Sequence, residues 1–131
     1  MRRWLFVMTL IGWPALAVAQ TWEAIHPDGA RCAKGNPWHF WVHRGSSEKL
    51  LFYLQGGGAC WLKANCDVAA QPTFDPSVDE RDDPSRGGGI LELDRPANPF
   101  RGWTVVFVPY CTGDVHLGGR SVGYDGVGMD H

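Results

Sequence analysis

The feature that most constrains this chain is an unbroken apolar segment, Leu50 to Leu54, followed after Gln55 by three consecutive glycines, 56–58. An apolar run without polar alternation is typical of a strand that is buried on both faces, as in a parallel sheet. Glycines after such a strand indicate a sharp turn or a close approach to a ligand. Two interpretations stay open: a tight turn leading into a disulfide, or a loop whose backbone N–H groups bind a developing negative charge.

The first 19 residues have the pattern of a secretory signal peptide. A basic start, Met1-Arg2-Arg3, precedes the apolar stretch from Trp4 to Ile11, and Ala17-Val18-Ala19 fits the small-x-small cleavage pattern. We expect cleavage after Ala19 and a secreted or periplasmic product. The apolar stretch is too short for a stable membrane span, and no cysteine follows the cleavage site, so no membrane anchor is expected.

The mature chain is small and mildly acidic. Cleavage would remove 19 of the 131 residues, among them Arg2 and Arg3. The mature chain then has ten basic residues against 14 acidic ones and a formal charge of −4. This balance argues against nucleic acid or an anionic membrane as a partner. The last residues, 126–131, form neither a capped helix nor a finished strand, so we interpret the chain as stopping within a loop.

Three segments have the composition of β-strands, namely 38–43, 49–55 and 103–108. The turn residues 44–47 predict that the first two strands form an antiparallel hairpin. The third segment is a second buried strand, which a long crossover separates from the first. Within that crossover, residues 79–86 are charged and are interpreted as a solvated excursion. Two buried strands joined in this way predict the beginning of an α/β sheet.

Four cysteines, Cys32, Cys60, Cys66 and Cys111, lie in the exported part of the chain. They allow three disulfide pairings, among which the sequence alone does not choose. Cys60 and Cys66 are close enough to staple the loop after the glycines, which would leave Cys32 with Cys111. A zinc site is the alternative, but an exported chain without a C-x-x-C pair favours disulfides.

Two separated motifs are specific to one family when they occur in this order and with cysteines at matching positions. The first runs from Leu54 to Trp61, with Cys66 behind it, and the second runs from Val106 to Gly118; Asn98-Pro99-Phe100 lies between them. From about Cys32 to its end, the chain resembles the pectin acetylesterase/Notum family of secreted serine carboxylesterases. The resemblance implies an α/β fold over 20–131, the N-terminal part of an α/β-hydrolase fold with a mostly parallel sheet and an N-terminal hairpin.

The resemblance also implies the site. The backbone N–H groups of Gly57, Gly58 and Ala59 would form part of an oxyanion hole. Many members carry Trp at the position of Ala59, and this difference affects the shape of the acyl pocket more than the chemistry, because the donors are backbone groups. The substrate-binding residues are expected to be Trp61, Asp114 and His116. The family pattern supports the Cys60–Cys66 and Cys32–Cys111 disulfides.

The expected reaction is cofactor-free and metal-free hydrolysis of a carboxylic ester by a Ser-His-Asp triad. In the family the serine lies well downstream in a G-x-S-A-G elbow, so we expect the triad beyond His131 and this chain alone to be inactive. The complete enzyme would remove acetyl or other acyl groups from a polysaccharide or another extracellular substrate, as a monomer. The alternative is a small exported non-catalytic module, glycan-binding or degenerate, that ends at His131.

Some local patterns carry less weight. Residues 119–123 match G-x-S-x-G around Ser121, but no strand precedes them and no helix follows, so we interpret the match as chance. A triad of Ser121, Asp125 and His131 is disfavoured because triad members come from separate strands. His39 and His43 share one face of a predicted strand. Without a third ligand they are interpreted as ordinary strand residues.

Overall fold

The computed structural model describes residues 21–119, which form a four-stranded mixed sheet. The strands are β1 (Trp22–Ile25), β2 (Phe40–His43), β3 (Leu50–Leu54) and β4 (Thr104–Val108), in the spatial order β1-β2-β4-β3. β2 is antiparallel to both β1 and β4, whereas β3 and β4 are parallel. The helices within residues 21–119 are short: α1 (Lys63–Cys66) and three 3₁₀ helices at Glu80–Asp82, Pro84–Arg86 and Gly89–Leu91.

The two apolar runs lie side by side as a parallel pair. Leu50 pairs with Thr104 and Leu54 pairs with Val108, so both strands point in the same direction and end together. β4 lies between two neighbours, and its residues Val105 and Phe107 are buried. This parallel pair is compatible with a partial α/β domain.

The predicted hairpin between the first two apolar segments is wrong, because β4 lies between β2 and β3. Phe107 pairs with Trp41 on one side and with Tyr53 on the other. The turn after β2 passes over the start of β4, where the Gly45 N–H donates to the Thr104 hydroxyl at 3.1 Å. A connection tied to β4 in this way leaves room for a strand between its two ends.

A mostly parallel sheet is also wrong for the described residues, because two of the three strand pairings are antiparallel. The antiparallel pair at the N-terminus is β1 with β2. β1 could not be predicted, because its four residues Trp22–Ile25 show no clean alternation of apolar and polar side chains.

Burial of β3 on both faces is likewise not found within residues 21–119. Leu50, Phe52 and Leu54 point to one face and are 58%, 59% and 50% exposed. Tyr53 points to the opposite face, where its ring stacks on Phe107 with centroids 5.3 Å apart. β3 is an edge strand in the described part of the chain, and the face of its three exposed side chains is apolar.

Both disulfides that the family resemblance implied are confirmed. Cys32 and Cys111 join the segment before β2 to the segment after β4, with Cα atoms 5.2 Å apart, and lie in one core cluster with Trp41, Val78 and Phe107. Cys60 and Cys66 close the loop after the glycines, with Cα atoms 4.8 Å apart. Disulfides are typical of proteins from oxidising compartments.

Two histidines, His43 in β2 and His39 directly before it, have pKa values below the usual value for this residue type. Burial lowers the pKa of His43 below 6.5, opposed by the charge of Asp94, and burial together with His26 lowers the pKa of His39. His43 is only 5% exposed, and its Nδ1 has no hydrogen-bond partner among residues 21–119. Protonation of either ring is therefore easier in the unfolded chain than in the folded one.

We expect the free energy of unfolding to decrease as the pH is lowered below 6.5. In this range the unfolded state binds more protons, so stability is present above 6.5 and is lost on acidification. Thermal unfolding between pH 7.5 and pH 5, in steps of about half a unit, measures the slope. His43→Phe should flatten the slope. Asp79→Asn is the control, because a side-chain hydrogen bond from Arg81 lowers the pKa of Asp79 to about 2. Constant or rising stability on acidification would contradict the expectation.

Candidate functional site

The candidate site lies at the carboxyl ends of the parallel strands, where ligands of open α/β sheets collect. Two loops leave these strand ends next to each other, the loop 55–60 after β3 and the loop 109–118 after β4. The Gln55 N–H donates to the Val108 carbonyl at 2.9 Å. The segment after β3 therefore stays bonded to β4 for one residue before the two loops separate.

Gly58 allows the first loop to turn. Its φ of +82° lies in the left-handed region, and a Cβ there would overlap the carbonyl oxygen of Thr73 and lie 2.6 Å from the Thr73 carbonyl carbon. Only glycine satisfies both conditions. The loop is thus a tight turn that leads into the Cys60–Cys66 disulfide, which is one of the two interpretations of the sequence.

The glycine loop is fixed at both ends. At its far end the Cys60 N–H donates to the Gly113 carbonyl at 2.7 Å, and the Thr73 hydroxyl donates to the Ala59 carbonyl at 2.6 Å. At its near end the Nε2 of His116 lies 2.8 Å from the Gln55 carbonyl oxygen. Most of these partners belong to the second loop, so the two loops form one unit.

Between these fixed ends, backbone donors are left unused. The N–H groups of Gly57, Gly58 and Ala59 make no hydrogen bond to any residue within 21–119. All three residues are at least partly accessible to solvent. Unpaired N–H groups in a rigid loop are suited to stabilising a developing negative charge.

The Gln55 side chain links the glycine loop to a segment that the sequence analysis misread. Its amide donates to the Asp82 carboxylate at 2.9 Å, and its oxygen accepts from the Tyr110 N–H at 3.0 Å. Asp82 is only 8% exposed, and its other oxygen accepts from the Asp79 N–H. The charged stretch 79–86 is therefore partly buried rather than wholly solvated, and no periodic signal in the sequence marks Asp82.

Asp114 organises the second loop. Its carboxylate accepts hydrogen bonds from the Thr112 hydroxyl at 2.6 Å, the Gly118 N–H at 3.0 Å and the His116 N–H at 3.2 Å. Val115 and His116 have φ angles of +50° and +57°, a conformation that is uncommon for residues other than glycine. The side chain of Asp114 thus satisfies the backbone of a strained turn.

The predicted site residues are only partly brought together. A cleft of about 530 Å³ is lined by Asp114 and His116, and also by Trp38, Phe52 and Leu54. Trp61 is 64% exposed, and neither Trp61 nor Gly57, Gly58 and Ala59 are among the residues that line this cleft. Trp38 was predicted to belong to a strand. In the structure it precedes β2 and lines the cleft, and its indole N–H donates to the Pro109 carbonyl at 3.1 Å.

Within residues 21–119, the remaining candidate residues form neither a metal-binding cluster nor a membrane-spanning helix. No group of three or more His, Cys, Asp or Glu side chains within residues 21–119 could hold a metal ion. The His39 ring contacts the rings of His26 and Trp41, at centroid distances of 4.7 Å and 4.4 Å. In the same part of the chain, no helix is long and apolar enough to cross a membrane. Ser121, Asp125, His131 and the predicted signal peptide, residues 1–19, lie outside the described residues.

Comparison with protein families identifies the chain. The profile of the family described as Pectinacetylesterase matches residues 17–129, which include both loops of the candidate site. The chain belongs to the pectinacetylesterase family. This confirms the resemblance that the two motifs indicated, and it places the chain in a family of ester hydrolases.

Individual relatives of this pectinacetylesterase-family chain carry two kinds of name. It is 38% identical over 97 residues to human palmitoleoyl-protein carboxylesterase NOTUM, a match covering 69% of this chain and 19% of the human protein. It is 34% identical over 90 residues to Arabidopsis thaliana pectin acetylesterase 4, covering 65% and 22%. The chain thus spans about a fifth of the length of these relatives.

A third relative is shorter. The chain is 33% identical over 92 residues to the inactive palmitoleoyl-protein carboxylesterase notum1b of Danio rerio. That match covers 66% of this chain and 65% of the Danio protein. The family therefore contains both proteins named as esterases and a short protein named as inactive.

Proposed function

We propose that this chain supplies the oxyanion-binding part of an exported serine carboxylesterase. The enzyme removes acetyl or other acyl groups from a polysaccharide or another extracellular substrate, without a cofactor. The observation that carries the proposal is the row of N–H groups at Gly57, Gly58 and Ala59, which have no hydrogen-bond partner within residues 21–119 and lie in a loop fixed at both ends. The names of the relatives support ester hydrolysis and leave the acyl group open.

In the proposed mechanism, a serine from sequence outside these 131 residues attacks the ester carbonyl. A histidine accepts the serine proton and an aspartate orients that histidine. The carbonyl oxygen becomes an oxyanion, which the N–H groups of Gly57, Gly58 and Ala59 stabilise. We further propose that the four β-strands are the first part of an α/β-hydrolase sheet, with the apolar face of β3 and its free edge covered by later segments.

The first experiment is to measure the intact mass of the secreted protein, with and without reduction, after treatment with a fluorophosphonate. We expect a mass well above that of residues 20–131 and one covalent adduct on a serine. A mass equal to residues 20–131, with no adduct, would contradict the esterase proposal. Acetate release from acetylated pectin and hydrolysis of p-nitrophenyl acetate then test the substrate class.

Ala59→Pro tests the oxyanion hole directly, because proline removes a backbone N–H that has no partner in the described structure. Loss of one such donor should lower kcat by about 10²- to 10³-fold. Ala59→Ser keeps the N–H and is the matched control. An Ala59→Pro protein with an unchanged melting temperature and an unchanged kcat would rule out this donor.

A second candidate function is a non-catalytic exported module. The short Danio relative named as inactive favours it. The intact mass separates the two candidates, since only the module would end at His131 and lack a fluorophosphonate adduct.

A further inference from the structure

We infer that His116 is a positioning residue for the oxyanion hole, acting through the carbonyl group of Gln55. This inference rests on the proposed function, because it concerns the N–H groups that stabilise the oxyanion. It gives His116 a role other than contact with the substrate: its ring N–H sets the direction in which the glycine loop leaves β3.

The hydrogen bond itself defines the state of the ring. The Nε2 of His116 lies 2.8 Å from the Gln55 carbonyl oxygen. A carbonyl oxygen only accepts hydrogen bonds, so Nε2 carries the proton and donates it. Among residues 21–119, this imidazole is the one hydrogen-bond donor to that carbonyl oxygen.

Holding this oxygen orients a whole peptide unit. The described chain contains no cis peptide, so the Gln55 carbonyl and the Gly56 N–H point in opposite directions within one plane. Gly56 and Gly57 follow, and two successive glycines restrict the backbone very little. The glycines therefore do not fix where the next N–H groups point, and the hydrogen bonds at the ends of the loop, including the one to the Gln55 carbonyl, must do so.

The far end of the loop does not depend on His116. The Cys60–Cys66 disulfide and the bonds from Cys60 to Gly113 and from Thr73 to Ala59 hold it in place. Removing the imidazole donor therefore frees the Gln55 carbonyl at one end of the loop, where the Gln55 N–H and side chain stay bonded, and leaves the other end fixed. Such a change alters the direction of the oxyanion donors more than the stability of the fold.

His116 is itself held rigidly enough for this role. Its N–H donates to the Asp114 carboxylate at 3.2 Å, and its ring packs on the ring of Tyr110 with centroids 4.9 Å apart. The Tyr110 hydroxyl accepts from the neighbouring Val115 N–H at 2.8 Å. These contacts hold the left-handed backbone at residues 115 and 116, which in turn directs the ring toward Gln55.

The test uses the complete secreted gene product, with p-nitrophenyl acetate as the probe substrate. His116→Phe keeps an aromatic ring but loses the donor, whereas His116→Gln keeps a donor. His26→Phe, at an exposed histidine outside the site, is the control. We expect His116→Phe to lower kcat by about 100-fold with a nearly unchanged KM, as for loss of precise orientation. His116→Gln should recover at least half of that loss on a logarithmic scale.

An independent readout does not require activity. In wild-type protein labelled with ¹⁵N-histidine, we expect the His116 ring to carry its proton on Nε2, with a hydrogen-bond coupling to the Gln55 carbonyl carbon. An unprotonated Nε2 would overturn the inference even if His116→Phe fails to fold. Wild-type kcat in His116→Phe, a loss confined to KM, or no recovery in His116→Gln would also overturn it. A wild-type protein without esterase activity would instead refute the proposed function and leave the NMR result to decide the hydrogen bond.

Discussion

Replacing Gly58 with alanine should destabilise the folded protein by about 4 kcal/mol, more than most single substitutions. Two costs combine at this position. The left-handed backbone, with φ at +82°, costs a residue with a Cβ about 1–2 kcal/mol. The new methyl group would also overlap the Thr73 carbonyl, which is part of the backbone and cannot rotate away. Overpacking of this kind costs about 1–3 kcal/mol more.

Gly56→Ala is the matched control in the same loop. A Cβ at Gly56 meets no atom within 4 Å, and its φ is not positive, so its unfolding free energy should stay within about 1 kcal/mol of wild type. Urea denaturation of the oxidised protein, followed by tryptophan fluorescence, gives both values. Equal effects of the two substitutions would show that the Thr73 carbonyl does not approach Gly58 as closely as described.

The parts of the fold that could be predicted are those written in consecutive residues. The apolar run Leu50–Leu54 and the glycines behind it identified β3 and its loop, and the run ending at Pro109 identified β4. Their parallel pairing agrees with the unbroken apolar composition, which is typical of parallel sheets. The disulfides were predicted from the family resemblance, together with the short separation of Cys60 and Cys66 in the sequence.

The pairing of the remaining strands could not be predicted from local signals. Turn residues after His43 favour a hairpin, but they carry no information about β4, which begins at Thr104. When β4 lies between β2 and β3, the Phe107 ring packs against the rings of both Trp41 and Tyr53. A hairpin of β2 and β3 alone would lack these contacts. Tertiary packing therefore overrides the local preference.

Much of the candidate site rests on hydrogen bonds between residues far apart in the sequence. Gln55 bonds with Asp82 and Tyr110, which lie 27 and 55 positions away, and with His116 at 61. No periodicity or short motif records such pairs. The family resemblance indicated Asp114 and His116, but their partners became known only from the structure.

The Cys32–Cys111 disulfide should contribute more to stability than the Cys60–Cys66 disulfide. The bridged residues are 79 positions apart in the first and 6 in the second. On the loop-entropy account, these lengths correspond to about 4.5 and about 2.4 kcal/mol. Cys32 and Cys111 are also buried within the core cluster around Phe107, so their loss additionally removes packing.

Two double variants measure this difference, Cys32→Ala with Cys111→Ala and Cys60→Ala with Cys66→Ala. The first should unfold at a markedly lower urea concentration than the second, with both compared against the oxidised wild type. Each variant keeps the other disulfide, so each serves as the control for the loss of two cysteines. The reverse order would mean that the short bridge holds the glycine loop against strain that loop entropy does not describe. In that case, Cys60–Cys66 would be the bond on which the conformation of the candidate site depends.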